Sequence, residues 1–84
     1  MPQWIFWSII AQAQLRKIDQ RIAMRMFEAI IRMRDGHGDI KPLVGYDPPR
    51  KRIKIGSYRV VYRELGRGQY EILRVGHRSR VYKD

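Results

Sequence analysis

The sequence predicts an α+β fold with elements in the order βααβββ, a helical hairpin packed on one face of a mainly antiparallel four-stranded sheet. Three observations predict it. Apolar residues recur at helical spacing from Ile9 to Met33, the period drops to two after residue 50, and glycine-bearing turns separate the alternating runs. Residues 1–84 are read as a single domain. A chain of this length buries only about 60% of the surface its unfolded form exposes, so its core is small.

The first strand is read at Gln3 to Trp7, within an apolar stretch that runs from Trp4 to Ala11 with Ser8 as its one interruption. That stretch falls short of the ~20 residues needed to span a bilayer. No Lys or Arg precedes Arg16, so the basic start of a secretory signal peptide is missing too. The helical pattern is interrupted near Lys17-Ile18-Asp19, where Asp19 is a candidate N-cap for a second helix. On that helix Ile22, Met26, Ile30 and Met33 form one apolar stripe, which Ala23, Phe27 and Ile31 widen. The methionines at this spacing are read as core rather than as a plastic binding groove. Gly36 and Gly38 end the helix, and Asp35 to Pro49, with three Gly and three of the four Pro, is read as a connecting loop. Three strands then follow: Arg52-Ile53-Lys54-Ile55, Tyr58 to Tyr62, and Gln69 to Val75, joined at Gly56-Ser57 and Gly66-Arg67-Gly68 as an antiparallel meander. Tyr58 and Tyr62 share the strand spacing of Val60 and are read as core. Trp4, Phe6 and Trp7 look like core and edge contacts, but adjacent Phe6 and Trp7 cannot both face the helices, which leaves one for a partner surface.

Lys and Arg number 18 against 8 Asp and Glu, giving 18 − 8 = +10. A polyanion, nucleic acid first, is the partner such a charge implies. Residues 1–49 carry seven basic and five acidic side chains (+2) and residues 50–84 eleven and three (+8), so the second half carries the field. With 44% hydrophobic residues the chain is too apolar for a disordered basic tail. It has no Cys, which excludes disulfides, Cys-ligated zinc and thiol chemistry and fits a cytoplasmic location. His37 stands between two glycines with no second ligand at metal spacing, and no metal or cofactor site is expected.

Alternation turns Arg52 and Lys54 to the side opposite Ile53 and Ile55, away from the helices. Arg59 interrupts an apolar strand, and Arg78 and Arg80 follow the last strand close to Gly76, His77 and Tyr82. A single strand Arg is ordinarily just solvated. Here the density of cations, with few acidic neighbours in sequence, leaves a repulsion that a bound phosphate would relieve. Cleaving RNA without a metal takes a group to accept the 2′-hydroxyl proton, cations at the phosphorus and an acid for the departing oxygen. Lys54, His77 and Tyr82 are the titratable candidates. Composition alone leaves binding and cleavage both open.

The runs Arg52-Ile53-Lys54-Ile55-Gly56-Ser57-Tyr58-Arg59-Val60-Val61-Tyr62 and Arg74-Val75-Gly76-His77-Arg78-Ser79-Arg80-Val81-Tyr82 resemble the RelE/ParE superfamily of toxins from type II toxin-antitoxin systems. Trp7-Ser8, Gln14 to Asp19 and Lys41-Pro42-Leu43 fit the same layout, so the resemblance covers nearly the whole chain. Its RelE branch implies a ribosome-dependent, metal-independent endoribonuclease that cuts messenger RNA in the decoding site. By that resemblance the basic cluster falls on Arg52, Lys54, Arg59 and Arg78 and the active-site tyrosine on Tyr82. Arg59 and Arg78 would steady the phosphate, Lys54 would assist proton transfer, and Tyr82 would orient or stack on the nucleotide. Arg52, Arg80 and His77 would contact RNA, although alternation puts His77 and Arg78 on opposite faces and favours a structural or partner-contact His77. The best-known members carry Lys where this chain has Arg52; a guanidinium clamps phosphate but is a poor base, which moves base duty to Lys54 or another group. Implied partners are a cognate RelB-like antitoxin, the ribosome and messenger RNA, with no membrane and no small-molecule cofactor. Two alternatives remain: a ParE-like toxin that poisons DNA gyrase through protein contacts, and a non-catalytic RNA-binding module.

Overall fold

The computed structural model, which describes residues 2–83, runs β1 (Ile5–Trp7), α1 (Ile9–Leu15), α2 (Gln20–Met33), β2 (Asp39–Leu43), β3 (Arg50–Ile55), β4 (Tyr58–Gly66) and β5 (Gln69–His77). The sheet has five strands in the order β1-β5-β4-β3-β2, with β1 parallel to β5 and every other pairing antiparallel. The α+β architecture and helical hairpin match the sequence reading; the strand count does not. The additional strand, β2, lies inside the segment read as a loop. Pro42 argues against a central strand, but β2 is an edge strand, where a missing N–H is tolerated. No helix among the described residues is long and apolar enough to cross a membrane.

Both helices start on side-chain caps. Ser8 accepts the Ala11 amide at 3.0 Å, while its hydroxyl donates to the Leu73 carbonyl at 2.9 Å, tying the start of α1 to β5. Asp19 accepts the Arg21 amide at 2.9 Å and opens α2, as the sequence indicated. From α2, Met26, Ile30 and Met33 enter a core with Ala11, Ile53, Val60, Tyr62, Ile72 and Val75. Ile31, expected to widen that stripe, is instead 48% exposed, because the core side of α2 is narrower than seven apolar positions.

The hairpin turns follow from residue type. Gly56, with φ +59°, occupies the first position of the two-residue β3–β4 loop, where a type II′ turn needs glycine. Arg67 and Gly68 both have positive φ (+55° and +73°), as the type I′ loop between β4 and β5 demands. Between Val61 and Tyr62 the β4–β5 register shifts, so Leu73 has no partner across the ladder. Its carbonyl is the one Ser8 satisfies.

Ile30 is fully buried, whereas Ile31 on the same helix is half exposed. Ile30→Ala is expected to cost about 2–5 kcal/mol in urea denaturation, and Ile31→Ala less than about 1 kcal/mol. Equal losses would show that α2 does not present the face described.

Candidate functional site

Strand pairing places side chains opposite one another on a common face. Val60, which is in the core, pairs with Ile53 and Val75, so Lys54, Arg59 and Val61 point the other way. Two rungs cross this open face. In one, Asp39 pairs with Lys54, Lys54 with Arg59, and Arg59 with Gly76; in the next, Lys41 pairs with Arg52, Arg52 with Val61, and Val61 with Arg74. Lys54 and Arg59 are thus direct cross-strand neighbours.

The Arg59 guanidinium is aimed at the β3–β4 turn, where Nη1 donates to the carbonyls of Gly56 at 2.8 Å and Tyr58 at 2.9 Å. Arg78 reaches the same corner, since its amide donates to the Ser57 carbonyl at 2.8 Å and extends the β4–β5 pairing by one position. The main chain thus places Lys54, Arg59 and Arg78 around one end of the open face. Beyond Arg78 the chain turns back. The Arg80 and Val81 amides donate to the His77 carbonyl, the Lys83 amide donates to the Arg80 carbonyl, and Arg74 Nη1 donates to the Lys83 carbonyl at 2.8 Å. This carries Tyr82, 42% exposed, back to the face that bears Arg74.

Arg52 departs from the sequence reading. It does have an acidic neighbour: Nη1 donates to the Asp39 carbonyl at 2.8 Å and to Asp39 Oδ1 at 3.1 Å. The acid arrives through β2, the strand absent from the four-stranded reading. The hydrogen bond from Arg52 holds the Asp39 carboxyl below its ordinary 3.8, and the charges of Arg52, Lys54 and Lys41 act in the same direction against desolvation. A second pair, Arg63–Glu71 at 2.7 Å, lies farther along the sheet toward the Arg67-Gly68 turn.

His77 is not with the cationic corner. It pairs with Tyr58 on the helix side, its ring meeting the Tyr58 ring edge to face at 5.5 Å. Its Nδ1 accepts the Ser79 amide at 3.1 Å and lies 2.8 Å from Ser79 Oγ, which leaves Nε2 to carry the proton of the neutral ring. His77 and Arg80 line, with Lys17 and Asp19, a cleft of about 520 Å³ between the helical hairpin and the C-terminal turn. Tyr62 also faces the helices, and burial pushes its phenol up to about 12, with Tyr70 and Glu64 adding to the shift. Sequence reasoning missed Asp39, Lys41 and Arg74. The alternation Asp39-Ile40-Lys41 was a signal for the first two, obscured by Pro42 and the flanking glycines. Among the described residues no group of three or more His, Cys, Asp or Glu side chains comes together.

Residues 5–82 match a family model described as the ParE toxin of the type II toxin-antitoxin system parDE. Among solved structures, the chain is similar to one chain of the RelBE2 toxin-antitoxin complex from Mycobacterium tuberculosis, with 26% identity, coverage of 92% of this chain and 99% of that one, and a TM-score of 0.71. It shares its fold with chains of the RelB-RelE complex from Methanococcus jannaschii (23% identity, 88% and 91% covered, TM-score 0.70) and the RelE-RelB complex from Pyrococcus horikoshii (20%, 96% and 100%, 0.69). No curated protein sequence gives a match.

The Asp39 shift makes stability depend on pH. Its carboxyl ionises at lower pH in the folded chain than in the unfolded one, so the contribution is fully present above pH 3.8 and is lost as pH falls through the folded value. The difference in denaturation midpoint between wild type and Asp39→Asn should be constant from neutral pH down to that point and then shrink. A difference that persists undiminished in strong acid would rule out Asp39 as its source.

Proposed function

We propose that this chain, which belongs to the ParE toxin family of type II toxin-antitoxin systems, cuts messenger RNA on the ribosome and thereby stops translation. The observation that carries this reading is strand register, which pairs Lys54 with Arg59, together with the main-chain bond from Arg78 to Ser57 that brings a third cationic residue to the same corner of the open sheet face. Three cations from three segments of the chain, supported by a buried core on the other side, suit a single phosphodiester better than a diffuse anionic surface. The similarity to RelBE complexes supports the RelE-type activity within the superfamily.

In the reaction the ribose 2′-hydroxyl attacks the adjacent phosphorus. Its proton passes to the Lys54 amine, the bond to the 5′ oxygen breaks, and that oxygen takes a proton from water as it leaves, the hydroxide so formed recovering the proton from the Lys54 ammonium. The products are a 2′,3′-cyclic phosphate and a 5′-hydroxyl. Arg59 and Arg78 stabilise charge on the non-bridging oxygens, and remain protonated throughout. The two carbonyl bonds of Arg59 orient its guanidinium before RNA arrives. Tyr82 supplies a ring on which an unstacked base can lie. Arg52, held by Asp39, and Arg80, at the adjoining cleft, grip flanking phosphates. His77, tied into the turn by Ser79, contributes at most the edge of the RNA path.

The chain works in the cytoplasm beside ribosomes and is held inactive by a RelB-like antitoxin. A toxin of charge +10 calls for a partner segment rich in Asp and Glu, which would steer association and cover the same corner. The name of the matching family, ParE toxin, motivates a second reading, in which the chain is a ParE-type toxin that would poison DNA gyrase through protein contacts.

Primer extension on messenger from a translating extract separates the two. Discrete cuts within codons are expected, and both Lys54→Ala and Arg78→Ala should reduce cutting by on the order of 10²-fold while leaving the denaturation midpoint unchanged. Gyrase-dependent DNA damage without cuts would replace the nuclease reading, and cutting that survives both substitutions would refute the site.

A further inference from the structure

The proposed chemistry leaves Arg74 without a role, yet its geometry is specific. It stands on the open face, opposite Val61 and one rung from Arg59, and its Nη1 donates 2.8 Å to the main-chain carbonyl of Lys83. Lys83 immediately follows Tyr82. Immediately before Tyr82, Val81 is 1% exposed and packs at Gly76, where an added Cβ would stand 3.8 Å from the Val81 Cβ. Val61, although on the open face, is only 2% exposed, and neither valine belongs to the helix-side core. Tyr82 is therefore an exposed side chain whose main chain is held on both sides, by a buried valine and by an arginine.

We infer that Arg74 is a positioning residue: by holding the Lys83 carbonyl it fixes the C-terminal turn over the open face and sets where the Tyr82 ring meets the nucleotide. The inference rests on the nuclease reading for its consequence but not for its geometry. A main-chain acceptor suits this task, because the latch keeps its partner whatever side chain occupies position 83. The turn is tied within itself by the Arg80 and Val81 amides on the His77 carbonyl and by the Lys83 amide on the Arg80 carbonyl, and the hydrogen bond from Arg74 adds a tie from its far end back to the strand.

The test compares wild type, Arg74→Ala, Arg74→Lys, Tyr82→Ala and the Arg74→Ala/Tyr82→Ala double variant in cutting a defined messenger on programmed ribosomes. Amide hydrogen exchange is followed in parallel on the isolated toxins. Arg74→Ala should lower kcat by on the order of 10²-fold with little change in KM. Arg74→Lys, which can still donate to a carbonyl, should recover part of that loss. In the Tyr82→Ala background, removing Arg74 should add no further loss. The Val81 and Lys83 amides, which donate to the His77 and Arg80 carbonyls, should exchange faster in Arg74→Ala. A raised KM with unchanged kcat, losses that multiply in the double variant, unaltered cutting, or unaltered exchange would each overturn the inference. If wild type does not cut at all, the nuclease reading fails while the exchange measurement still decides whether Arg74 holds the turn.

Discussion

The two-sidedness of the sheet is the constraint on which everything else depends. Ile53, Val60, Ile72 and Val75 are buried against the helices, and strand geometry then requires Lys54, Arg59 and Arg74 to face outward. Slipping the register by one residue would expose those four apolar side chains and turn arginines inward. Each is worth about 1.5–3 kcal/mol when buried, so their sum is comparable to the whole stability of a small domain, about 5–15 kcal/mol. The cations cannot relieve their repulsion by rearranging the sheet. The core in effect holds like charges together on the opposite face.

The open face is not uniformly positive, and its exceptions are informative. Asp39 neutralises Arg52 and Glu71 neutralises Arg63, each across neighbouring strands, while the guanidinium of Arg59 is held by the main-chain carbonyls of Gly56 and Tyr58. Carbonyl partners orient a guanidinium while leaving its charge uncancelled. Carboxylates do both. The face is thus graded, with carboxylate-paired arginines toward β2 and toward the far turn, and a carbonyl-held Arg59 at the corner where the chain folds back with Tyr82.

Much of this was legible in the sequence because local signals and tertiary outcome agreed. Asp19 caps α2, Met26 and Ile30 follow its buried stripe, Gly56 and Gly68 provide the turn geometry, and the alternation Arg52-Ile53-Lys54-Ile55 separates core from open face. The failures share one cause, an interaction between residues distant in sequence. β2 escaped notice because Pro42 is a strand breaker everywhere except at an edge, and edges are defined only after the sheet assembles. With β2 hidden, the partner of Arg52 was hidden too. Val61, which alternation puts on the open face, is nonetheless covered, and Arg74 donates to a main-chain atom that carries no residue code. Ile31 shows the reverse error, an apolar residue near the right angle on a helix whose contact surface is too narrow to include it.

Pro42 has a further consequence. A five-stranded sheet ends in two rows of unpaired backbone groups, the usual template for one molecule to zip onto the next. Here one border, β1, is only three residues long, and the other, β2, combines a missing donor at Pro42 with the charge of Lys41. Neither border offers a continuous ladder to a second molecule. The sheet is thereby protected against pairing with a second copy of itself.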